Sequence, residues 1–297
     1  MPRQEFDLEG HRGARGLHPE NTLEGFRATI AIGVTTLETD VAMTADGIAV
    51  ACHDPHLNPD ITRGPDGAFL SARGPAIRTL SLAELQRYDV GRIRPGTAYA
   101  RSFPDQRGQD GLRIPRLAEM FALDDRVRFN TEIKTFPKDP GLTAPPAQMA
   151  DAVLAAAART GATERLIVQS FDWRNMRHTA RAAPAVTRAY LTSAETVAEA
   201  ALWWDGPSPA DFGGSVPRAV AAEGAGVTWG PDWRTLTEAL IAEAHGLGLR
   251  VVPWTVNAAA DMARLIGWGV DGLITDRPDL GRAALTAAGL AVPPGRG

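Results

Sequence analysis

The sequence predicts an α/β protein of the (β/α)8 TIM-barrel class, with an insertion after the second barrel strand. Short apolar runs of β type alternate with Ala-rich segments of helical period, the pattern of a parallel sheet covered by helices. Eight such runs can be counted, and with their crossovers they occupy about 250 residues, the usual size of a closed eight-strand barrel. A chain of 297 residues with 44% hydrophobic content holds enough apolar material for one such core. We therefore expect one catalytic barrel domain over residues 1–297.

The first strand is expected at 6–10 and a helix at 21–32 leads to the second strand at 35–41. A ninth extended run, 48–52, follows across Thr44-Ala45-Asp46-Gly47, a turn far too short for a helical crossover. That run must fold back antiparallel as a hairpin, which carries His53 to the barrel mouth. Residues 54–115 are rich in Pro, Gly and Arg, with one helical pattern around 81–88. A stretch that long between consecutive strands is more often functional than a plain connection, and it reads as a cap over one side of the mouth. Strands at 128–134, 166–170, 187–191, 226–229, 250–255 and 270–275 complete the eight, with helices at 147–160, 173–182, 236–247 and 259–268. The segment 203–217 reads either as a mobile rim loop or as a surface connection with one buried Trp pair, and the tail from Pro293 reads as frayed.

Composition excludes several classes of function. With 31 basic and 35 acidic residues the net charge is −4, which suits neither an electrostatic nucleic-acid binder nor a disordered acidic tail. The single cysteine, Cys52, rules out an internal disulfide and any thiolate metal cluster. No apolar run approaches the roughly 20 residues needed to span a bilayer, and the N-terminal MPRQEFDLEG lacks the apolar core of a secretory signal. The expectation is a soluble protein without an integral membrane segment, cytoplasmic as given or periplasmic if a leader has been removed. Oligomeric state is left open.

In a parallel barrel, reactive groups gather at the C-terminal ends of the strands. The first strand runs into His11-Arg12-Gly13, the second ends Leu37-Glu38-Thr39-Asp40, and the third ends Thr131-Glu132-Ile133-Lys134. Alternation puts Glu38 with Asp40 on one face, and Glu132 with Lys134. Three converging carboxylates repel one another unless a cation neutralises them, and an all-oxygen set favours Mg²⁺ or Ca²⁺ over Zn²⁺. The competing reading is a salt-bridge cluster in which Lys134 and Arg12 balance the charge. His11 and His53, each followed by polar residues, suggest a general acid and a general base on either side of a phosphorus centre. Arg12 offers a planar fork for phosphate oxygens and Lys134 a point charge.

Gln169, polar at a strand end, is a candidate to bond a ligand oxygen or the metal's water shell. Trp254, Phe171 and Trp229 close or follow strands and could line the pocket, ordinary packing being the competing reading for the last two. Glu20 and Asn21 are expected to organise the start of the first helix. An amidohydrolase would want a His-x-His pair where the chain has His11-Arg12-Gly13, and a glycosidase would want two carboxylates without a metal.

These residues resemble the glycerophosphodiester phosphodiesterases of the phospholipase C-like phosphodiesterase superfamily. The resemblance rests on Gly10-His11-Arg12-Gly13, Pro19-Glu20-Asn21-Thr22, Glu38-Thr39-Asp40-Val41, Thr44-Ala45-Asp46-Gly47, His53-Asp54, Glu132-Ile133-Lys134, Gln169-Ser170-Phe171, Trp254-Thr255-Val256-Asn257 and the run from Asp271 to Pro278. It implies a barrel with an insertion after the second strand, His11 and His53 as acid/base pair, and Glu38, Asp40 and Glu132 as ligands of Mg²⁺ or Ca²⁺. It also implies that Arg12 and Lys134 contact phosphate. The reaction implied is hydrolysis of a small-molecule glycerophosphodiester to sn-glycerol 3-phosphate and an alcohol, in glycerol and lipid metabolism. An alternative on the same scaffold is a phospholipase D-like transferase or lyase that acts on lysolipids and releases a cyclic phosphate; a noncatalytic phosphate sensor is a third. Relatives with a Leu-x-Arg-Thr-Thr type segment differ from Leu57-Asn58-Pro59-Asp60-Ile61-Thr62-Arg63 here, which bears on the alcohol preference.

Overall fold

The structure is a computed structural model and describes residues 5–296. Eight strands run parallel: β1 (Asp7–Gly10), β2 (Thr36–Met43), β4 (Arg128–Ile133), β5 (Leu166–Ser170), β6 (Thr187–Thr192), β7 (Thr228–Pro231), β8 (Arg250–Val251) and β9 (Gly272–Thr275). They lie in the order β8-β7-β6-β5-β4-β2-β1-β9. Asp271 N–H donates to the Val251 carbonyl at 2.9 Å and Ile274 N–H to the Pro253 carbonyl at 3.0 Å, so the two ends of the sheet meet. The expected hairpin is present as β3 (Ala49–Ala51), antiparallel to β2 with Val41 opposite Ala51.

The strand boundaries shift for identifiable reasons. Gly226 has φ +71°, incompatible with a strand, so β7 begins at Thr228 rather than 226. Pro253 has no N–H to continue a ladder, and β8 is correspondingly short. Helices Leu23–Ile32, Pro146–Arg159, Trp173–Ala182, Glu238–Gly246 and Ala259–Gly267 agree with the periodicity to within two residues at each end. A further helix, Pro278–Ala287, follows β9, with Pro278 opening it and Gly281 and Leu285 buried.

Two expectations are corrected. The segment 203–217 carries a 3-10 turn Pro209–Phe212 and runs into helix Val216–Ala221. Only one member of the Trp pair is fully buried: Trp204 stacks on Trp173 with ring centroids 4.1 Å apart, while Trp203 is half-buried and edge-on to Phe171. The tail is docked rather than frayed. Pro293 is buried, Arg296 N–H donates to the Ile30 carbonyl at 3.2 Å, and the Arg296 guanidinium lies 3.3 Å from Asp124.

The insertion has an apolar cluster of its own, in which Leu57, Ile77, Leu85, Val90 and Ile114 pack on Ala42 and Val50 of the hairpin. Within it, Ser81 and Glu84 form a reciprocal cap on the short helix Leu82–Leu85. Its later part lies on the loop after β1. There Arg107 N–H donates to the Leu17 carbonyl at 2.8 Å, Gln106 donates to the Arg15 carbonyl at 2.7 Å, and the Arg15 guanidinium stands 4.6 Å from the centre of the Phe103 ring. Among the described residues no helix is long and apolar enough to cross a membrane.

Candidate active site

Strand register assembles the acidic cluster. Asp40 pairs with Glu132 across β2 and β4, and Glu132 pairs with Gln169 across β4 and β5, so their side chains share one layer at the C-terminal end of the barrel. Carboxylate oxygens of Glu38, Asp40 and Glu132 all lie within 4.8 Å of one another, and all three residues are buried. Lys134 Nζ stands 2.7 Å from Glu132 Oε1 and 3.1 Å from Asp40 Oδ1. Arg12 Nε is 3.1 Å from Asp40 Oδ2, and its Nη1 is 3.1 Å from Glu20 Oε1. Both cations expected to meet phosphate are thus paired with carboxylates, as in the salt-bridge reading.

Those pairs leave the cluster unbalanced. Glu20, Glu38, Asp40 and Glu132 set four potential negative charges against the two positive ones of Arg12 and Lys134. The protonation equilibria carry the excess. Burial, then Asp40 and Glu132, hold Glu38 well above the usual carboxylate range. Burial and the Asp40 charge push Glu132 up to about 6 against the opposing pull of Lys134. Asp40 stays well below its ordinary range because Lys134 and Arg12 outweigh its burial. Its Oδ1 has no well-directed hydrogen bond despite being buried. A buried all-oxygen set that raises its own carboxyl protonation equilibria and keeps an under-used oxygen on Asp40 fits a hard divalent cation.

Both histidines are oriented through the same ring atom. His11 Nδ1 lies 2.6 Å from Asp276 Oδ1, and His53 Nδ1 lies 2.7 Å from Asp54 Oδ1. Each carboxylate fixes the Nδ1–H tautomer and leaves Nε2 for other chemistry. His11 Nε2 points to the cluster, 3.9 Å from Glu38 Oε2. His53 stands close enough to Asp40 and Lys134 to feel both charges, and with Lys134 it lines one small cavity. Burial lowers both imidazoles to about 4, with Lys134 and Arg12 adding to the effect on His53. Asp276 is held far below its usual range, since His11 and Arg15 outweigh the cost of burying it.

The loop after β1 is shaped for this task. Arg12 and Gly13 both take positive φ, 53° and 70°, which turns the chain so that Arg12 N–H donates to Glu38 Oε2 at 2.9 Å. A side chain at Gly13 would press on the Gly25 backbone and the Phe26 ring. Asn21, also at positive φ, does not cap the helix. Thr22 does so, its hydroxyl accepting from Gly25 N–H, and Asn21 instead donates to Asp40 Oδ2 at 3.2 Å and accepts from Thr39. Glu20 grips Arg12 and takes a hydrogen bond from the Tyr99 hydroxyl of the insertion.

Gln169 reaches a carboxylate directly, Nε2 donating to Glu38 Oε1 at 2.8 Å. Trp254 is half-buried, donates to the Gly230 carbonyl and stands edge-on to Phe171 at 5.3 Å. Trp229 is fully buried and donates to Thr192, so packing describes it. The residues that sequence reasoning left without a role are Asp276 and Asp54, the histidine partners, with Arg15 and Asn257 behind Asp276, and Asn130 behind Gln169. Asp276 directly follows the last strand as His11 directly follows the first, so its strand-end position is an available signal.

This arrangement agrees with what the chain matches. The sequence profile of the Glycerophosphoryl diester phosphodiesterase family covers residues 11–280. The chain belongs to that family. Like other members it is by class a phosphoric diester hydrolase. It is 28% identical over 271 residues to a glycerophosphodiester phosphodiesterase of Caldanaerobacter subterraneus subsp. tengcongensis, covering 91% of this chain and 93% of that one. A solved structure of a candidate glycerophosphoryl diester phosphodiesterase from Silicibacter pomeroyi superposes with a TM-score of 0.87 at 38% identity, covering 98% of this chain and 96% of its own. An Oleispira antarctica phosphodiesterase, solved with sn-glycerol-3-phosphate, shares the fold at 21% identity and TM-score 0.70, covering 94% of this chain and 96% of its own. The family's barrel thus accounts for nearly the whole chain, insertion included.

Proposed function

We propose that the protein is a divalent-metal-dependent glycerophosphodiester phosphodiesterase that releases sn-glycerol 3-phosphate and an alcohol, with His11 and His53 as its acid/base pair. The observation that carries this reading is the buried trio Glu38, Asp40 and Glu132, flanked by two imidazoles each oriented by its own carboxylate. Those three residues would hold Mg²⁺ or Ca²⁺, which supplies Lewis-acid polarisation of a non-bridging phosphate oxygen.

The chain's own groups do the rest. Arg12 and Lys134, already at the cluster, lie where they can offer N–H donors to the remaining phosphate oxygens. Each histidine starts neutral, so its free Nε2 can take a proton from an attacking oxygen. A phosphodiester anion beside the other ring favours its charged form, and that ring then protonates the leaving alkoxide. Insertion residues 54–115 are proposed as a cap over the mouth, since they rest on the β1 loop and reach Glu20 through Tyr99. Half-buried Trp254 and Phe171 offer apolar edges to the glycerol carbons. No observation favours the lysolipid transferase or lyase reading over hydrolysis.

The test is a coupled assay for glycerol 3-phosphate across glycerophosphocholine, glycerophosphoethanolamine, glycerophosphoglycerol and glycerophosphoinositol, with added Mg²⁺ or Ca²⁺ and with EDTA. Turnover that EDTA abolishes is expected on at least one substrate. Absence of turnover on all four with either ion would sink the proposal.

A further inference from the structure

We propose that Asn130 and Glu9 are positioning residues for Glu38, acting through Gln169 as a relay of hydrogen bonds along the barrel axis. The proposal rests on the metal reading above. Where a barrel interior is ordinarily filled by apolar layers, four polar side chains stand here in sequence, each with 2% exposure or less. Asn130 Nδ2 lies 2.8 Å from Glu9 Oε2 and 3.1 Å from Gln169 Oε1, and Gln169 Nε2 lies 2.8 Å from Glu38 Oε1.

The order of donors and acceptors makes this a device rather than a coincidence. A primary amide has two N–H bonds, and Asn130 spends one on Glu9 and one on Gln169. Its donation makes Gln169 turn its oxygen towards Asn130, which leaves the Gln169 N–H facing Glu38. A reversed Gln169 would set its oxygen against a carboxylate. Glu9 holds Asn130 in turn, because an acceptor at that end requires the Asn130 nitrogen there. Glu38 is then pinned at both oxygens, Oε1 by Gln169 and Oε2 by Arg12 N–H. So held, Glu38 keeps a carboxylate oxygen within 4.8 Å of those of Asp40 and Glu132.

The relay also joins the two ends of the barrel. Glu9 and Asn130 border a cavity of about 200 Å³ at the N-terminal end, shared with Asp7, Arg128 and Arg250. Burial together with the Asp7 charge holds the Glu9 carboxyl well above its usual range. Partners behind metal ligands generally carry a large share of affinity, and their loss weakens metal binding about 10- to 100-fold.

The experiment is calorimetric titration of the full-length protein with Mg²⁺ and with Ca²⁺, without substrate, alongside thermal melting. Asn130→Leu should bind the ion about 10- to 100-fold more weakly than wild type while still melting cooperatively. Glu9→Leu should show the same loss. Glu9→Gln, which keeps an acceptor oxygen, should stay within about threefold of wild type, a rescue that a merely space-filling role would not distinguish. Should Asn130→Leu fail to fold, Asn130→Ser takes its place, since serine is smaller and cannot bridge both partners. Wild-type affinity in a folded Asn130 variant, or equal weakness in Glu9→Gln and Glu9→Leu, overturns the relay. A wild-type protein that binds neither ion overturns the metal reading with it, and the coupled assay separates those two failures.

Discussion

Asp276→Asn isolates what an orienting carboxylate contributes. Asp276 Oδ1 accepts from His11 at 2.6 Å and from Arg15 Nε at 2.9 Å, while Oδ2 accepts from Asn257 at 2.7 Å and Arg15 Nη2 at 3.1 Å. Every neighbour is a donor, so an amide at this position must aim its own N–H₂ at other donors whichever way it turns. Its best compromise is to donate to His11 Nδ1, which moves the imidazole proton to Nε2 and leaves no lone pair facing the reaction. The electrostatic loss can be sized as well. A carboxylate about 4 Å from a protonated imidazole's charge centre is worth about 4 kcal/mol at an effective dielectric of 20. At about 1.4 kcal/mol per decade that is about a thousandfold in rate. Under the acid/base assignment, kcat for Asp276→Asn should therefore fall by about 10³ in the glycerol 3-phosphate assay, with cooperative melting retained. A folded variant within about threefold of wild-type kcat would refute the role given to His11 and its partner together.

Three further outcomes are expected. Chelation should abolish turnover and lower the melting temperature, since an ion present at 100 times its dissociation constant adds about 2.7 kcal/mol to folding; unchanged melting and activity in EDTA would exclude a bound ion. In metal-free protein, His11 titrates at about 4 when folded and near 6.5 when unfolded. The unfolded chain thus takes up the proton first as pH falls, and stability is lost from about 6.5 downward until it levels near 4, by about 3 kcal/mol at most. Urea melts across that range should show this loss in wild type and a flatter dependence in His11→Gln; parallel curves would exclude a buried neutral imidazole. Trp204→Ala, which removes a fully buried ring stacked on Trp173, should cost about 3–5 kcal/mol by denaturant melts, whereas a loss below about 1 kcal/mol would show that the site collapses around the gap.

The architecture was legible because its signals are local. Apolar runs of four to seven residues with helical repeats between them yield strand count and order without knowledge of any distant contact, and a four-residue turn at Thr44 forces β3 to reverse. What escaped depends on distant packing. Nothing near Pro293 signals that the tail docks beside Gly33, whose left-handed backbone and missing side chain leave room for the Pro293 carbonyl. The helix Pro278–Ala287 shows few large apolar residues, because Gly281 is there to let Leu8 of β1 approach.

The site divides along the same line, and the division has a physical cause. Glu38, Asp40 and Glu132 were found because two-residue alternation and the strand-end rule place them with no tertiary information. Their counter-charges and orienting groups are another matter. His11 meets Asp276 only because β1 and β9 are neighbours in the closed barrel, a separation of 265 residues, and Tyr99 meets Glu20 only because the insertion folds onto the β1 loop. Chemical type and the family resemblance assign Arg12 and Lys134 to phosphate, whereas both are shared among carboxylates before any substrate arrives. That sharing changes the expected consequence of losing one. Removing the Lys134 charge leaves Asp40 and Glu132 less compensated, so it should strengthen attraction for a divalent ion while it weakens the hold on an anionic substrate. A rise in KM with unchanged or tighter metal binding in Lys134→Met is the signature of that double duty, and weaker metal binding would contradict it.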